Sequence, residues 1–398
     1  MTAFRLSEKS RWLALGQPLL LESGTELPGV EIAYRTWGQL NAAADNAVIV
    51  CHALTGSPDA DAWWGALFGP GRTLDPRRYF IVCSNVLGGC YGTTGPASAA
   101  PDGRLWGARF PRVTVRDQVR LQMALADRLC IRGIRFVIGG SLGGLQALEW
   151  AVLDTERVDA VVSLAASGRH SAWCAAWSEA QRLALAADPK FRDGNYDPAD
   201  PPRAGLAAAR AIAMVSYRSP ISLDKRFGRA SGGEVFADRA AAPEELAVRG
   251  WLRHHGSSLV ERFDANSYLA LIDAMDTHDL GRDRGSYERV LNRLGQPVLV
   301  GSITSDALYV AVDQQDLAFL LPRGEFLEID SVHGHDGFLI DAAGFEPQVR
   351  RFVDGLEDAA REGCPWPVSA STNHVVSGSA AGEWIFGIDK PEDASWQR

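Results

Sequence analysis

The sequence predicts an α/β fold, a mostly parallel central sheet flanked by helices, with a helical block inserted into it. Three observations carry this expectation. Short apolar runs alternate with longer stretches of helical periodicity, the pattern of strands joined by crossover helices. Between about residues 168 and 285 the strand pattern stops and Ala/Leu-rich helical stretches replace it. The strand pattern resumes at Val298, so the helical block interrupts a sheet rather than following one.

Taken in order, strands are expected at 30–33, 47–51, 79–83, 136–139, 160–164, 298–301 and 326–329. Each is a brief apolar run, as required of strands buried on both faces. A helix is expected over 115–129, where Val119, Met123, Leu125 and Leu129 recur at helical spacing, and another begins at Ser141. Inside the block, helices over 175–187 and 205–217 are separated by Asp188-Pro189 and the run DPADPP at 197–202, which helix interiors do not tolerate. The expected organisation is a core in two parts, 1–168 and 286–356, with a helical cap at 169–285 between them. A cap of this kind can screen a site from water. Periodicity is lost after Leu356. The runs CPWP at 364–367 and SASTN at 369–373 read as turn and loop, and Trp384-Ile385-Phe386 as an apolar patch. Residues 357–398 are therefore expected to form a C-terminal extension, either docked by those aromatics or loosely ordered.

Composition narrows the function. The 398 residues are 46% hydrophobic with a formal net charge of −9, which disfavours nucleic acid or an anionic membrane as partner. The first nine residues lack an apolar signal core and no membrane-length apolar run follows, so a cytoplasmic location is expected. The six cysteines form no C-x-x-C pair, and no metal site is expected. Cys51, Cys83 and Cys130 sit in or beside apolar segments and are expected to be buried free thiols.

Chemistry enters at Gly139-Gly140-Ser141-Leu142-Gly143-Gly144, a G-x-S-x-G turn between an apolar run and a helical pattern. This is the nucleophile elbow of the α/β-hydrolase fold, whose tight turn lifts the serine hydroxyl above the sheet. A serine hydroxyl is a weak nucleophile until a base accepts its proton, and a carboxylate must orient that base. In this fold the order is Ser, then Asp or Glu, then His. Asp306 follows the strand at 298–301, where open sheets build their sites, although an aspartate there can equally cap a helix. His335 lies on a glycine-punctuated loop after the last strand, and His333 on the same loop is its rival. His52 ends a buried strand and is expected to be structural. Two N–H donors must hold the oxyanion. The expected pair is the N–H of Leu142, directly after the serine, and that of Leu54, on the loop after an early strand.

Several longer motifs specify more. HALTG at 52–56, Trp63-Trp64, SNVLGGCYGTTGP at 84–96, GGSLGGLQALEW at 139–150 and SGRHS at 167–171 resemble the homoserine O-acetyltransferase family. So do AMVSYRS at 213–219, RFDANSY at 262–268 and AMDTHD at 274–279, and the likeness spans roughly residues 15–355, cap included. The resemblance favours His335 over His333 and implies ping-pong transfer from acetyl-CoA, as co-substrate, to the hydroxyl of L-homoserine. By the same resemblance Arg210 would bind the acceptor's carboxylate and Asp336 its ammonium group, with Tyr217 and Arg218 lining the pocket. It further implies a homodimer formed through the cap helices. Leu142 and Leu145 stand where the family commonly carries methionine, a volume-conserving exchange. The alternatives on this scaffold are a succinyl-CoA donor, a serine acceptor, or hydrolysis by an esterase-like enzyme.

Overall fold

The computed structural model describes residues 6–232, 245–362 and 374–377. Its main sheet has nine strands: β1 (Arg11–Ala14), β2 (Glu31–Trp37), β3 (Ala47–Cys51), β4 (Phe80–Ser84), β5 (Ile134–Gly140), β6 (Val161–Leu164), β7 (Val298–Ile303), β8 (Gly324–Asp330) and β9 (His374–Ser377). Their spatial order is β1-β2-β4-β3-β5-β6-β7-β8-β9. Pairings β1–β2 and β2–β4 are antiparallel, and the other six are parallel. Each of the seven expected strands overlaps one of these, with 30–33, 79–83 and 160–164 starting one residue early.

The principal helices are α1 (Val115–Arg128), α2 (Leu142–Leu153), α3 (Ala172–Ala186), α4 (Arg203–Tyr217), α5 (Pro220–Phe227), α6 (Ala247–Val260), α7 (Ala265–Asp276), α8 (Ala311–Leu320) and α9 (Ala342–Glu362). Side-chain alternation along the strands sends residues to opposite faces. Ile49 and Cys51 of β3, with Val137 and Val300, pack against Val119 and Leu125 of α1, Leu148 of α2 and Leu317 of α8. Val48 and Val50, with Ile81, Phe136 and Ile138, pack against Phe345, Val349 and Phe352 of α9. A sheet covered on both faces explains why central strands such as β3 read as unbroken apolar runs.

Helices α3 to α7 all fall between β6 and β7, where the cap is expected. Three of their starts are capped by side chains: Ser171, Ser219 and Asp264 each accept a hydrogen bond from a first-turn N–H of α3, α5 and α7. The cap's apolar residues, among them Cys174, Leu206, Leu259 and Tyr268, join Leu54, Leu142, Leu145 and Tyr309 in a third cluster. The cap thus rests on the loops that leave the carboxyl ends of β3, β5 and β7.

Two expectations change. α9 runs past Leu356 to Glu362, and β9 adds a parallel strand to β8 through pairs such as Ile329 with Val376. The chain segments CPWP, SASTN and the Trp384–Phe386 patch lie outside the described residues. Cys51 and Cys83 are buried thiols, but Cys130 is exposed. It occupies the turn after α1 with φ 59°, where the chain reverses toward β5 and its side chain faces solvent.

Candidate active site

The sequence around Ser141 forces an unusual backbone. Ser141 has φ 56° and ψ −126°, a region normally left to glycine, and its neighbours show why the turn is so tight. A Cβ on Gly143 would stand 2.0 Å from the carbonyl oxygen of Cys51, and one on Gly139 2.2 Å from that of Gly143. The N–H of Ser141 donates to the Leu164 carbonyl at 2.9 Å, while its own carbonyl accepts from Gly144 (2.8 Å) and Leu145 (3.1 Å). The elbow is therefore held from β3, β6 and α2, and the serine side chain is left to project.

His335 meets it there. The imidazole Nε2 lies 2.8 Å from Ser141 Oγ, and Nδ1 lies 2.7 Å from Asp306 Oδ2. An ionised carboxylate can only accept, so Nδ1 carries the proton and the neutral ring presents Nε2 as acceptor to the hydroxyl. The other carboxylate oxygen, Oδ1, accepts the N–H groups of Leu308 (2.8 Å) and Tyr309 (3.0 Å), which fixes its orientation. The helix-cap alternative is not what forms: α8 begins only at Ala311, after Val310, and the N–H groups that Oδ1 collects belong to the loop between β7 and α8. Burial pulls the His335 pKa down, but the adjacent Asp306 charge outweighs it and the net shift is upward. Ser141, Asp306 and His335 are all buried. The rival His333 stays half-buried outside the pocket, in electrostatic contact with Asp341.

The loop after β3 brings Leu54 to the same pocket as Ser141. Its shape is set by His52, whose Nδ1 donates to the Ala53 carbonyl (2.7 Å) and whose Nε2 accepts from the Val86 N–H (3.2 Å). Burial pushes this imidazole down to about 4, so it stays neutral and structural. Leu142 is the first residue of α2, and a first-turn N–H has no acceptor within its own helix. Behind them, Gln146 donates to the carbonyls of Leu142 (3.2 Å) and His52 (3.4 Å), and accepts from Gln122 (2.6 Å).

The cap closes the pocket with Arg210, Met214, Tyr217, Arg218 and His255, opposite Asp336 and Phe338. Asp336 is held by Arg218 at 3.1 Å. Arg210 is buried beside Tyr217, its guanidinium carbon 5.6 Å from the ring centroid, and no carboxylate of the described residues pairs with it. A buried guanidinium without a counter-ion is unfavourable unless an anion arrives. His255 was not singled out by the sequence. Burial, with Arg210 and Arg218 nearby, pushes it down to about 2, so it forms a neutral wall. Among the described residues no group of His, Cys, Asp and Glu is arranged to hold a metal ion. Such an arrangement can carry out acyl transfer through a serine ester, with a cationic seat for one carboxylate beside it.

Comparison with known proteins agrees. The family profile of the α/β-hydrolase fold matches residues 46–342. The homoserine O-acetyltransferase of Nostoc punctiforme is 50% identical over 352 residues, covering 87% of this chain and 96% of its own. The crystal structure of homoserine O-acetyltransferase from Bacillus anthracis superposes with a TM-score of 0.79 at 25% identity, over 87% of this chain and 97% of that one. An acetylester hydrolase from Corynebacterium glutamicum, at 22% identity and TM-score 0.76 over 88% and 96%, shares the fold.

Proposed function

The chain belongs to the homoserine O-acetyltransferase family, and from that premise we propose how its residues divide the reaction. The enzyme transfers an acetyl group from acetyl-CoA to the hydroxyl of L-homoserine, giving O-acetyl-L-homoserine and CoA, a step of methionine biosynthesis. In the first half-reaction Ser141 Oγ attacks the thioester carbonyl as His335 Nε2 takes its proton. The N–H groups of Leu54 and Leu142 receive the oxyanion, and the imidazolium returns the proton to the departing CoA sulfur. In the second half His335 takes the proton of the homoserine hydroxyl as that oxygen attacks the acetyl-serine carbonyl. Collapse releases the ester and reprotonates Ser141.

Water is the competing acceptor, so the amino acid must be gripped. The uncompensated, buried Arg210 is the observation that carries this part of the reading. Its fork of donors suits the homoserine carboxylate, while Asp336, held in place by Arg218, suits the ammonium group. Tyr217 supports Arg210 from beneath. The cap excludes bulk water. We further place the enzyme in the cytoplasm as a homodimer joined through the cap. No described helix is long and apolar enough to cross a membrane. Leu183, Val215 and Ile221 present exposed apolar surface on cap helices.

The test is CoA release from acetyl-CoA with L-homoserine, L-serine or water as acceptor. Release should depend on homoserine, and intact-mass measurement should detect an acetyl-enzyme that Ser141→Ala cannot form. CoA release at the same rate without any amino acid would make this a hydrolase. An acylated Ser141→Ala protein would place the nucleophile elsewhere.

A further inference from the structure

The imidazole of His335 is held by more than Asp306. The ring of Tyr309 lies against it, centroids 5.6 Å apart at an interplanar angle of 30°. Tyr309 is fully enclosed, and its hydroxyl lies 3.0 Å from Nδ1 of His170. His170 sits just after β6, its side chain buried, with Nε2 3.4 Å from Asp276 Oδ1 at the end of α7. Burial pushes His170 down to about 4, so it is neutral. Nδ1 is hydrogen-bonded to the phenol, while Nε2 and Asp276 Oδ1 face each other at 3.4 Å without a hydrogen bond. Asp276 is in turn paired with Arg182 of α3, which also donates to Asp273 at 2.8 Å.

The same cap helix grips the loop that carries Asp306 and Tyr309. Trp173 Nε1 donates to the Ala307 carbonyl at 2.6 Å, and the Cys174 thiol lies 3.2 Å from the Leu308 carbonyl. Three successive residues after Asp306 are thus bound to α3 or to its neighbour His170. None of these contacts reaches substrate. They meet at the face of one ring.

We propose that Tyr309 is a positioning residue for the base: its stacked ring sets the plane of the His335 imidazole, and its hydroxyl, through His170, anchors that ring to the start of the cap. The proposal rests on His335 being the base in both half-reactions. Asp306 Oδ2 fixes one atom of the imidazole, and the rings of Tyr217 (5.4 Å, 39°), Phe338 (5.5 Å, 63°) and Tyr309 flank it. Of these three Tyr309 is the one stacked on the imidazole, and a hydroxyl with a fixed partner holds that phenol in place. The geometry of proton transfer from Ser141, and later from the acceptor hydroxyl, is then maintained by cap and core together.

The experiment is steady-state and half-reaction kinetics of Tyr309→Phe, His170→Asn and the double variant. Tyr309→Phe keeps the ring and removes only the hydroxyl. Each single variant should lower kcat by about five- to tenfold in both half-reactions, because small misplacements of reacting groups are expensive in rate. KM for acetyl-CoA and homoserine should stay within about twofold, and the double variant should be no slower than the slower single, since both break one chain of contacts. A purely structural role would lower the melting temperature and leave kcat per folded enzyme alone. Wild-type kcat in Tyr309→Phe, a loss confined to KM, or multiplicative losses in the double variant overturns the proposal. Acylation of Ser141→Ala would instead overturn the triad assignment beneath it.

Discussion

Asp306→Asn isolates what the carboxylate does, because the structure dictates how the amide must turn. Oδ1 of Asp306 accepts two backbone N–H groups, from Leu308 and Tyr309, and only an oxygen can replace it there. The amide nitrogen of the variant is therefore directed at His335 Nδ1, now 2.7 Å from a donor instead of an acceptor. Nδ1 must then give up its proton and Nε2 must carry one, so the ring donates to Ser141 Oγ when it should accept. Imposing the wrong tautomer on a serine-type triad lowers kcat by about 10³- to 10⁴-fold, or about 4 to 5.5 kcal/mol on the barrier. The pH profile should respond as well. Native activity needs neutral His335, whose pKa is raised, so its acid limb should lie above the ordinary histidine value of about 6.5. Without that carboxylate, burial is opposed only by the lesser pull of Asp336, and the limb of the residual rate should fall below that value. The assay is CoA release across pH 5 to 9, with a urea titration to show that the retained N–H contacts keep the fold. A variant within tenfold of native kcat, or an acid limb that stays or rises, would refute the reasoning.

Two further outcomes follow from the same geometry. Arg210→Ala should raise the homoserine KM by about 10- to 100-fold, the loss of a charged hydrogen-bonded contact, while acetylation of Ser141 proceeds at near-native rate; an unchanged KM would remove its assigned role. Stability should fall on acidification, because His52 and His170 are buried neutral, both pushed down to about 4. Groups lowered in the folded state contribute full stability above their unfolded pKa of about 6.5, and lose it as pH falls toward the folded value. At pH 5 the loss is about 2 kcal/mol per histidine, partly offset by His335, whose raised pKa acts in the opposite sense. A urea midpoint equal or higher at pH 5 than at pH 7 would contradict this.

The parts of this molecule that the sequence reveals are those built from local rules. Strands such as β3 and β5 are apolar runs because both faces are covered, and α1 shows its buried stripe. Ser141 is legible because the elbow needs glycines at fixed positions; the order of the partners narrows the base to the loop of His333 and His335, and the family likeness chooses between them. β1 is not legible, since three of its four residues are exposed and it lies at the sheet's edge. β9 is four residues of a C-terminal stretch that otherwise carries no strand or helix pattern in sequence. The pairing of Arg218 with Asp336, the wall formed by His255 and the stack of Tyr309 on His335 are also hidden. Each joins residues brought together by the fold from distant stretches of chain or across an irregular loop, where no periodicity announces contact. Cys130 misled because an apolar neighbourhood in sequence turned out to be the outside of a bend.

The backbone of Ser141 bears on descent as well as on catalysis. At φ 56° a side chain is a liability that glycine would not share, so the fold by itself favours losing the serine. A lineage released from the need to make its product would therefore be expected to drift first toward glycine at this position, with the surrounding glycines and the sheet unchanged. By the same reasoning, Ser141→Gly would relieve the backbone strain and remove the nucleophile in a single change.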